Sequence, residues 1–189
     1  MRRDIKVGAP FPDYELLDHN EKRRKLSQIQ GANHLMIVVL SRGLFCPKDQ
    51  QQHRKLVDFY PELNVAYTKL VTVSTSDWQE TVEFRDGVGA QWPFLSDPQR
   101  IVQKDLDIKE YTDPHHDPMI PHTIVLGPRL RIFKIYCGYW YWGRPSVEEL
   151  RSDLREITRR VRPDWDISDP ECRKAWKQNR SDFFYPYGK

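Results

Sequence analysis

Two mostly apolar runs predict buried β-strands in the first half of the chain. Residues 35–40, LMIVVL, contain no polar position, and residues 69–74, KLVTVS, form a second run. An uninterrupted apolar run is typical of a strand covered on both faces, as in a parallel sheet flanked by helices. A shorter segment, YELLD at residues 14–18, predicts one more strand.

Helices are predicted between these strands. One begins at Pro47, because the missing N–H of proline costs nothing at the first helical position. Residues 77–87 predict a second helix, which Asp77 starts and Gly87 ends. Residues 98–106 predict a third, short helix.

A hairpin and a long helix follow. Residues 122–127 and 131–139 are two strand-like runs separated by a short turn, so they are predicted to pair antiparallel. Ser146 and Glu149 form a candidate capping box. The apolar positions behind it recur at helical spacing: Val147, Leu150, Leu154, Ile157 and Val161.

This alternation predicts the fold class. Strands that alternate with helices and end in a hairpin indicate an α/β domain, with a central mixed β-sheet and helices on both faces. We assign it to residues 1–162. Residues 163–189 are aperiodic but rich in aromatic side chains, among them Trp165, Trp176, Phe183, Phe184 and Tyr185. We expect this C-terminal extension to pack on the domain or on a partner subunit.

Composition excludes several classes of protein. The 189 residues carry a net charge of +3 and are 39% hydrophobic, as in globular proteins. Because no apolar run approaches the roughly 20 residues that span a bilayer, we expect no membrane segment. The polar N-terminus has no signal-peptide core, which predicts a cytoplasmic location. The densest basic stretch, residues 155–163, contains no aromatic residue, so no nucleic-acid partner is expected.

The stretch SRGLFCPKD places Cys46 at the start of a predicted helix. Free N–H groups and the positive end of the helix dipole favour a thiolate there. Arg42 adds positive charge, whereas Asp49, one helical turn beyond the cysteine, opposes ionisation unless it turns away or pairs with Arg42 or Lys48. From these residues alone, a reactive thiol and an inert buried cysteine both remain open.

Four segments resemble the peroxiredoxin-like (AhpC/TSA, redoxin) branch of the thioredoxin-fold superfamily. VGAPFPDYELLD resembles its opening strand, and SRGLFCPKDQQQ resembles the R-G-x-x-C-P-x-C segment. VSTSD with QWPFLSDPQ resembles the pair V-S-x-D and F-P-x-L-S-D-P, the most specific match. MIPHTIVL resembles the segment that carries the cis-proline of thioredoxins. The resemblance covers roughly residues 6–157.

This resemblance implies a thioredoxin-like fold with Cys46 as the catalytic thiol. The residues expected to shape its site are Arg42, Gly43, Pro47, Asp49 and Pro121, with a cis bond before Pro121. It implies no cofactor and no metal. The expected substrate is a peroxide or a disulfide, reduced at the expense of an external thiol of the thioredoxin or glutathione type.

The chain also departs from the family pattern. Val39 and Gly43 stand where peroxiredoxins have the proline and threonine before the cysteine, and the arginine of the later strand is replaced by Pro121. Arg42 is the candidate substitute for that arginine. Asp49 replaces the second cysteine of the motif, so no disulfide forms within it.

The two remaining cysteines are candidates for resolving Cys46. Cys137 follows Phe133 and Ile135 on one face of a strand, which predicts burial. Cys172 lies in the polar extension and is a candidate resolving thiol, with a bystander role as the alternative. The function predicted is therefore a thiol oxidoreductase that uses Cys46. The alternative is a catalytically silent redoxin-fold protein that serves binding or assembly.

Two other segments carry chemistry. His115, His116 and His122 lie near Asp113 and Asp117, but neighbouring histidines in a proline-rich loop favour a solvated loop beside the site over a metal centre. IYCGYWYWGRP, residues 135–145, is rich in aromatic residues. Packing or a homodimer contact is favoured there over a ligand pocket.

Overall fold

A computed structural model describes residues 1–31 and 33–184. Its core is one mixed sheet of seven strands in the order β2-β1-β5-β4-β3-β6-β7. The strands are β1 (Glu15–Asp18), β2 (Arg23–Lys25), β3 (Leu35–Ser41), β4 (Thr68–Ser74), β5 (Phe94–Ser96), β6 (His122–Gly127) and β7 (Arg131–Cys137). Strands β3, β4 and β5 run parallel, and the pairs on either side of them are antiparallel.

The described part of the chain contains six α-helices. They are α1 (Leu26–Gln30), α2 (Pro47–Val65), α3 (Trp78–Val88), α4 (Ile101–Asp105), α5 (Val147–Val161) and α6 (Pro170–Lys177). None of the helices in residues 1–31 and 33–184 combines the length and hydrophobicity that crossing a bilayer requires.

Alternation along β3 builds two hydrophobic cores. Met36, Val38 and Leu40 join a cluster with α1 and α4 on one face of the sheet. Ile37 and Val39 join another with α2, α3 and α5 on the opposite face. Because successive side chains of a strand point to opposite faces, a strand buried on both must be apolar throughout. The predicted mixed sheet with helices on both faces is confirmed.

Several element boundaries differ from the predictions. Helix α3 continues through Gly87 and ends when Gly89 adopts a left-handed conformation. Helix α4 begins at Ile101 instead of Pro98, because the Asp97 carboxylate accepts hydrogen bonds from the Ile101 and Val102 N–H groups at 2.7 and 2.9 Å. The predicted antiparallel hairpin of β6 and β7 is confirmed.

The capping box of α5 is also confirmed. Ser146 Oγ accepts from the Glu149 N–H, and the Glu149 carboxylate accepts from the Ser146 N–H. This reciprocal pair satisfies two backbone donors at the start of the helix. It fixes where the segment after β7 turns into α5.

The C-terminal extension contains an element that the sequence did not predict. Helix α6 begins after Asp169, whose carboxylate accepts from the Glu171 N–H at 2.8 Å. The guanidinium carbon of Arg159 in α5 lies 5.2 Å from the centroid of the Trp165 ring. Tyr185 lies outside the described residues, and the boundary at residue 162 stays a prediction.

Candidate active site

Cys46 lies between the end of β3 and the start of α2. Its backbone is extended, at φ −89° and ψ 111°, and Pro47 occupies the first helical position as predicted. The Cys46 carbonyl accepts from the N–H groups of Asp49 and Gln50 at 3.1 and 3.0 Å, which starts the helix. The side chain is 1% exposed. The fold therefore holds the thiol at a helix N-terminus beneath its neighbours.

The Arg42 guanidinium contacts the thiol of Cys46. Its Nη1 lies 3.8 Å from Cys46 Sγ, so the side chain points at the sulfur from the loop that precedes α2. A guanidinium in this place stabilises a thiolate and any negative charge that develops on an attacking oxygen. The geometry therefore fits the substitution inferred for Arg42.

Gly43 allows the loop to pass close to β4. Its φ is +115°, which a residue with a side chain rarely adopts. A Cβ at this position would lie 2.7 Å from Ser76 Oγ. The backbone at position 43 therefore favours glycine and would strain the threonine that the family resemblance implies there.

Asp49 forms its ion pair with neither Arg42 nor Lys48, the two partners considered from the sequence. It is fully buried and forms an ion pair with the equally buried guanidinium of Arg144. Its other oxygen accepts from the Arg42 N–H at 2.7 Å and from Ser41 Oγ at 3.1 Å. Asp49 therefore joins the start of α2 to the loop before it and to the segment after β7.

Sequence reasoning missed Arg144, which is 95 residues away from Asp49. One signal could have indicated such a partner: a carboxylate on the inner face of a helix needs a buried cation or several hydrogen-bond donors. Arg144 also donates to the Gly138 carbonyl, so the same guanidinium ties down the turn after β7.

The electrostatic environment of Cys46 differs from the one predicted. Burial raises the pKa of the thiol, and the charge of Asp49 raises it further; the Asp49 N–H, Arg144 and Arg42 act in the opposite direction. Helix-start placement alone favoured a lowered pKa. That expectation is wrong for the buried thiol, because the cost of removing a thiolate from water outweighs the effect of the nearby donors and cations.

An aromatic stack lies beside Arg42, the residue that contacts the thiol. The Phe45 ring lies parallel to the His116 ring, with centroids 3.6 Å apart, and His116 contacts the Asp113 carboxylate at 2.9 Å. Beside the stack is a cleft of about 440 Å³, lined by Arg42, Leu44, Phe45, Thr75, Ser76, Glu80, Arg100, His115 and His116. The loop thus contributes to the site, as expected. Within the described residues no cluster fits a metal ion.

Pro121 is buried directly before β6, and its carbonyl accepts from the Gly138 N–H at 2.7 Å. The predicted cis bond is wrong, since every peptide bond in the described part of the chain is trans. Pro121 instead contributes an acceptor that fixes the turn after β7, the same turn that Arg144 holds.

The predicted burial of Cys137 is also wrong. Cys137 is exposed, because it is the last residue of β7 and this strand forms the edge of the sheet. Cys137 pairs with His122 in the antiparallel ladder. Its thiol is therefore open to reagents in solution.

Cys172 is buried within the extension, where its thiol donates to the Asp166 carbonyl at 3.3 Å. The extension lies at the far end of α2, where Trp165 and Phe184 share a groove with Val65. Helix α2 has 19 residues, so its ends are separated by about 27 Å. In this structure Cys172 is thus remote from Cys46.

The aromatic segment after β7 is largely exposed. Trp140 and Trp142 are 70% and 91% exposed. The Lys48 ammonium lies 5.4 Å from the centroid of the Trp140 ring, which places this segment beside the start of α2. Packing is therefore slight for these two rings, and a homodimer contact stays a prediction.

Comparison with known proteins agrees with this geometry. The family model described as the AhpC/TSA family matches residues 7–135, more than half of the chain. The protein belongs to the AhpC/TSA family. No curated protein matches the chain.

Solved structures show the same fold. Peroxidoxin BcpB from Mycobacterium tuberculosis has a TM-score of 0.68 at 18% identity, over 80% of this chain and 97% of that one. AhpC of Enterococcus faecalis has a TM-score of 0.69 at 17% identity, over 85% and 96%. A cysteine-to-serine mutant of peroxiredoxin 6 of Arenicola marina has a TM-score of 0.71 at 15% identity, over 87% and 81%. The fold is therefore the thioredoxin-like fold of peroxiredoxins.

Proposed function

We propose that this AhpC/TSA-family protein is a thiol peroxidase that uses one cysteine of its active-site motif, Cys46. The observation that carries the proposal is the contact between Arg42 Nη1 and Cys46 Sγ, 3.8 Å apart at the N-terminus of α2. The cleft beside this contact has room for a small hydroperoxide.

The reaction begins with attack of the Cys46 thiolate on one peroxide oxygen. The new S–O bond forms as the O–O bond breaks, and the departing alkoxide or hydroxide takes up a proton to become an alcohol or water. Cys46 is oxidised to sulfenic acid. Arg42 faces both the sulfur and the developing oxygen charge, and this stabilisation is its proposed role.

An external thiol completes the cycle. Asp49 occupies the place of the second motif cysteine, and Cys172 is remote from Cys46. A first thiol therefore displaces water from the sulfenic acid and forms a mixed disulfide. A second thiol then attacks that disulfide and restores the Cys46 thiol. A reductant of the thioredoxin or glutathione type fits this scheme, and a disulfide substrate would enter at the mixed-disulfide stage.

A catalytically silent binding protein is the less favoured alternative, because a protein that has lost its activity has no need of a cation held against the sulfur. The sequence-based expectations of a cytoplasmic location and a homodimer stay predictions.

The proposal is tested by following hydroperoxide consumption with purified protein and excess dithiothreitol. Wild type is expected to turn over, Cys46→Ser to be inactive, and Cys172→Ser to retain the wild-type rate. Absence of turnover with hydrogen peroxide, with an organic hydroperoxide and with a small disulfide would refute an enzymatic role.

A further inference from the structure

We infer that Glu110 and Asp113 are positioning residues that aim Arg42 at Cys46, and this inference rests on the proposed function of the thiol. The three nitrogens of the Arg42 guanidinium have three different neighbours. Nε lies 2.8 Å from Glu110 Oε2, and Nη2 lies 2.8 Å from Asp113 Oδ2. Only Nη1 remains, and it faces the sulfur.

The two carboxylates hold the guanidinium in different ways. Asp113 accepts a hydrogen bond from Nη2, whereas the Glu110 contact is an ion pair without hydrogen-bond alignment. Glu110 is nevertheless the more rigid anchor. It is 4% exposed, and its other oxygen accepts from Thr112 Oγ1 at 2.7 Å.

Without these anchors Arg42 would have alternatives to the sulfur. An arginine on a loop gains conformational entropy and hydration when its guanidinium turns into solvent. Phe45 lies under the guanidinium, with the ring centroid 5.1 Å from Cζ, but a ring face does not fix which nitrogen points where. The acidic pair of Glu110 and Asp113 supplies that direction.

The direct effect of these two negative charges on the pKa of the thiol should be smaller than their effect through Arg42. Negative charges near a thiol raise its pKa, but the charge that does so here is that of Asp49. Glu110 and Asp113 contact Nε and Nη2 of the guanidinium, whereas the sulfur faces Nη1, and we infer that both carboxylates act on the thiol through Arg42. Their removal should therefore raise the pKa of Cys46.

The test is the pH profile of Cys46 alkylation by iodoacetamide, read by peptide mass spectrometry. It requires no peroxide, so its failure is separate from failure of the proposed function. Arg42→Ala is expected to reduce the rate at neutral pH about tenfold. Glu110→Gln and Asp113→Asn are each expected to reduce it about threefold, with the profile displaced to higher pH.

A double variant separates positioning from a structural role. In the Arg42→Ala background, Glu110→Gln should cause no further displacement, because its effect passes through Arg42. Asp117→Asn is the matched control. Asp117 lies in the same loop as Glu110 and Asp113, but it forms ion pairs with Arg100 and Lys109. Its loss should therefore leave the profile unchanged. An unchanged or lowered profile in Glu110→Gln, or an equal displacement without Arg42, would overturn the inference. Thermal unfolding identifies any variant that fails to fold, and Asp113→Asn then serves instead.

Discussion

The Asp49 carboxylate forms a buried ion pair with the Arg144 guanidinium, and both side chains are almost fully removed from solvent. Asp49 lies one helical turn after Cys46, near the start of α2. Its contacts connect the start of α2, the loop that carries Arg42, and the turn after β7. Asp49 therefore holds these three segments together next to the thiol.

Loss of Arg144 should destabilise the fold strongly. Arg144→Ala leaves the Asp49 charge buried without its cation, which is expected to lower the free energy of unfolding by about 3–5 kcal/mol. Urea denaturation measures this difference. Arg160→Ala is the matched control, because the ion pair between Arg160 and Glu156 is exposed and should contribute under about 1 kcal/mol. Equal losses in the two variants would show that the buried pair has no special role.

The reactivity of Cys46 should rise with pH above neutrality. Burial and the charge of Asp49 hold the pKa of the thiol above its ordinary value, so alkylation should have its midpoint above about pH 8.5. The exposed Cys137 provides an internal reference in the same digest. A midpoint for Cys46 below that of Cys137 would contradict this electrostatic account.

The stack of Phe45 on His116 should control access to the thiol without controlling its ionisation. His116→Ala removes one ring of the stack and is expected to raise the alkylation rate of Cys46 severalfold at every pH. Asp113 keeps its hydrogen bonds from the residue-116 N–H and from Arg42 Nη2 in this variant, so Arg42 should stay at the sulfur and the midpoint of the profile should not move. His115→Ala is the neighbouring comparison: its ring packs edge-on against His116 at 4.6 Å but not face to face with Phe45, so a smaller rise is expected. A shifted midpoint in His116→Ala would show that His116 acts on the charge.

Two buried histidines should make the fold sensitive to mild acid. Burial lowers the pKa of His53 and of His122, so the folded state resists their protonation. The unfolded chain binds these protons near pH 6.5, and stability should therefore fall as the pH drops below this value. Unfolding free energies at pH 7.5 and 5.5 measure the effect.

The control for this pH effect is His53→Gln. This variant should be less stable at pH 7.5, because it loses the contact to Thr72 Oγ1. Its stability should also depend less on pH than that of wild type. An unchanged pH dependence would assign the acid sensitivity to other groups.

The sequence predicted the parts of this structure that depend on local patterns. The apolar run of β3 indicated a strand buried on both faces, and Ser146 with Glu149 indicated the start of α5; both are confirmed. Cys46 and Pro47 likewise stand at the start of α2. Each of these features follows from side chains within one element.

What could not be predicted depends on distant contacts. The partner of Asp49 is 95 residues away along the chain, and the pKa of Cys46 depends on burial that no short motif encodes. Cys137 shares a strand face with partly covered residues but lies at the open end of an edge strand. The acidic pair that contacts Arg42 comes from a loop without regular structure, where spacing carries no geometric information.

Cys46, although buried, is the thiol that we expect a peroxide to oxidise. The most direct measurement exposes reduced protein to equimolar hydrogen peroxide, traps sulfenic acid with dimedone, and compares the Cys46 and Cys137 peptides by mass spectrometry. Because Cys137 is exposed and has no assigned role, it reports the reactivity of an ordinary accessible thiol. Because Arg42 stabilises the charge that develops as the peroxide reacts, Cys46 should be labelled faster than Cys137 in spite of its raised pKa, and Arg42→Ala should lose most of this labelling. Labelling of Cys137 ahead of Cys46 would contradict it.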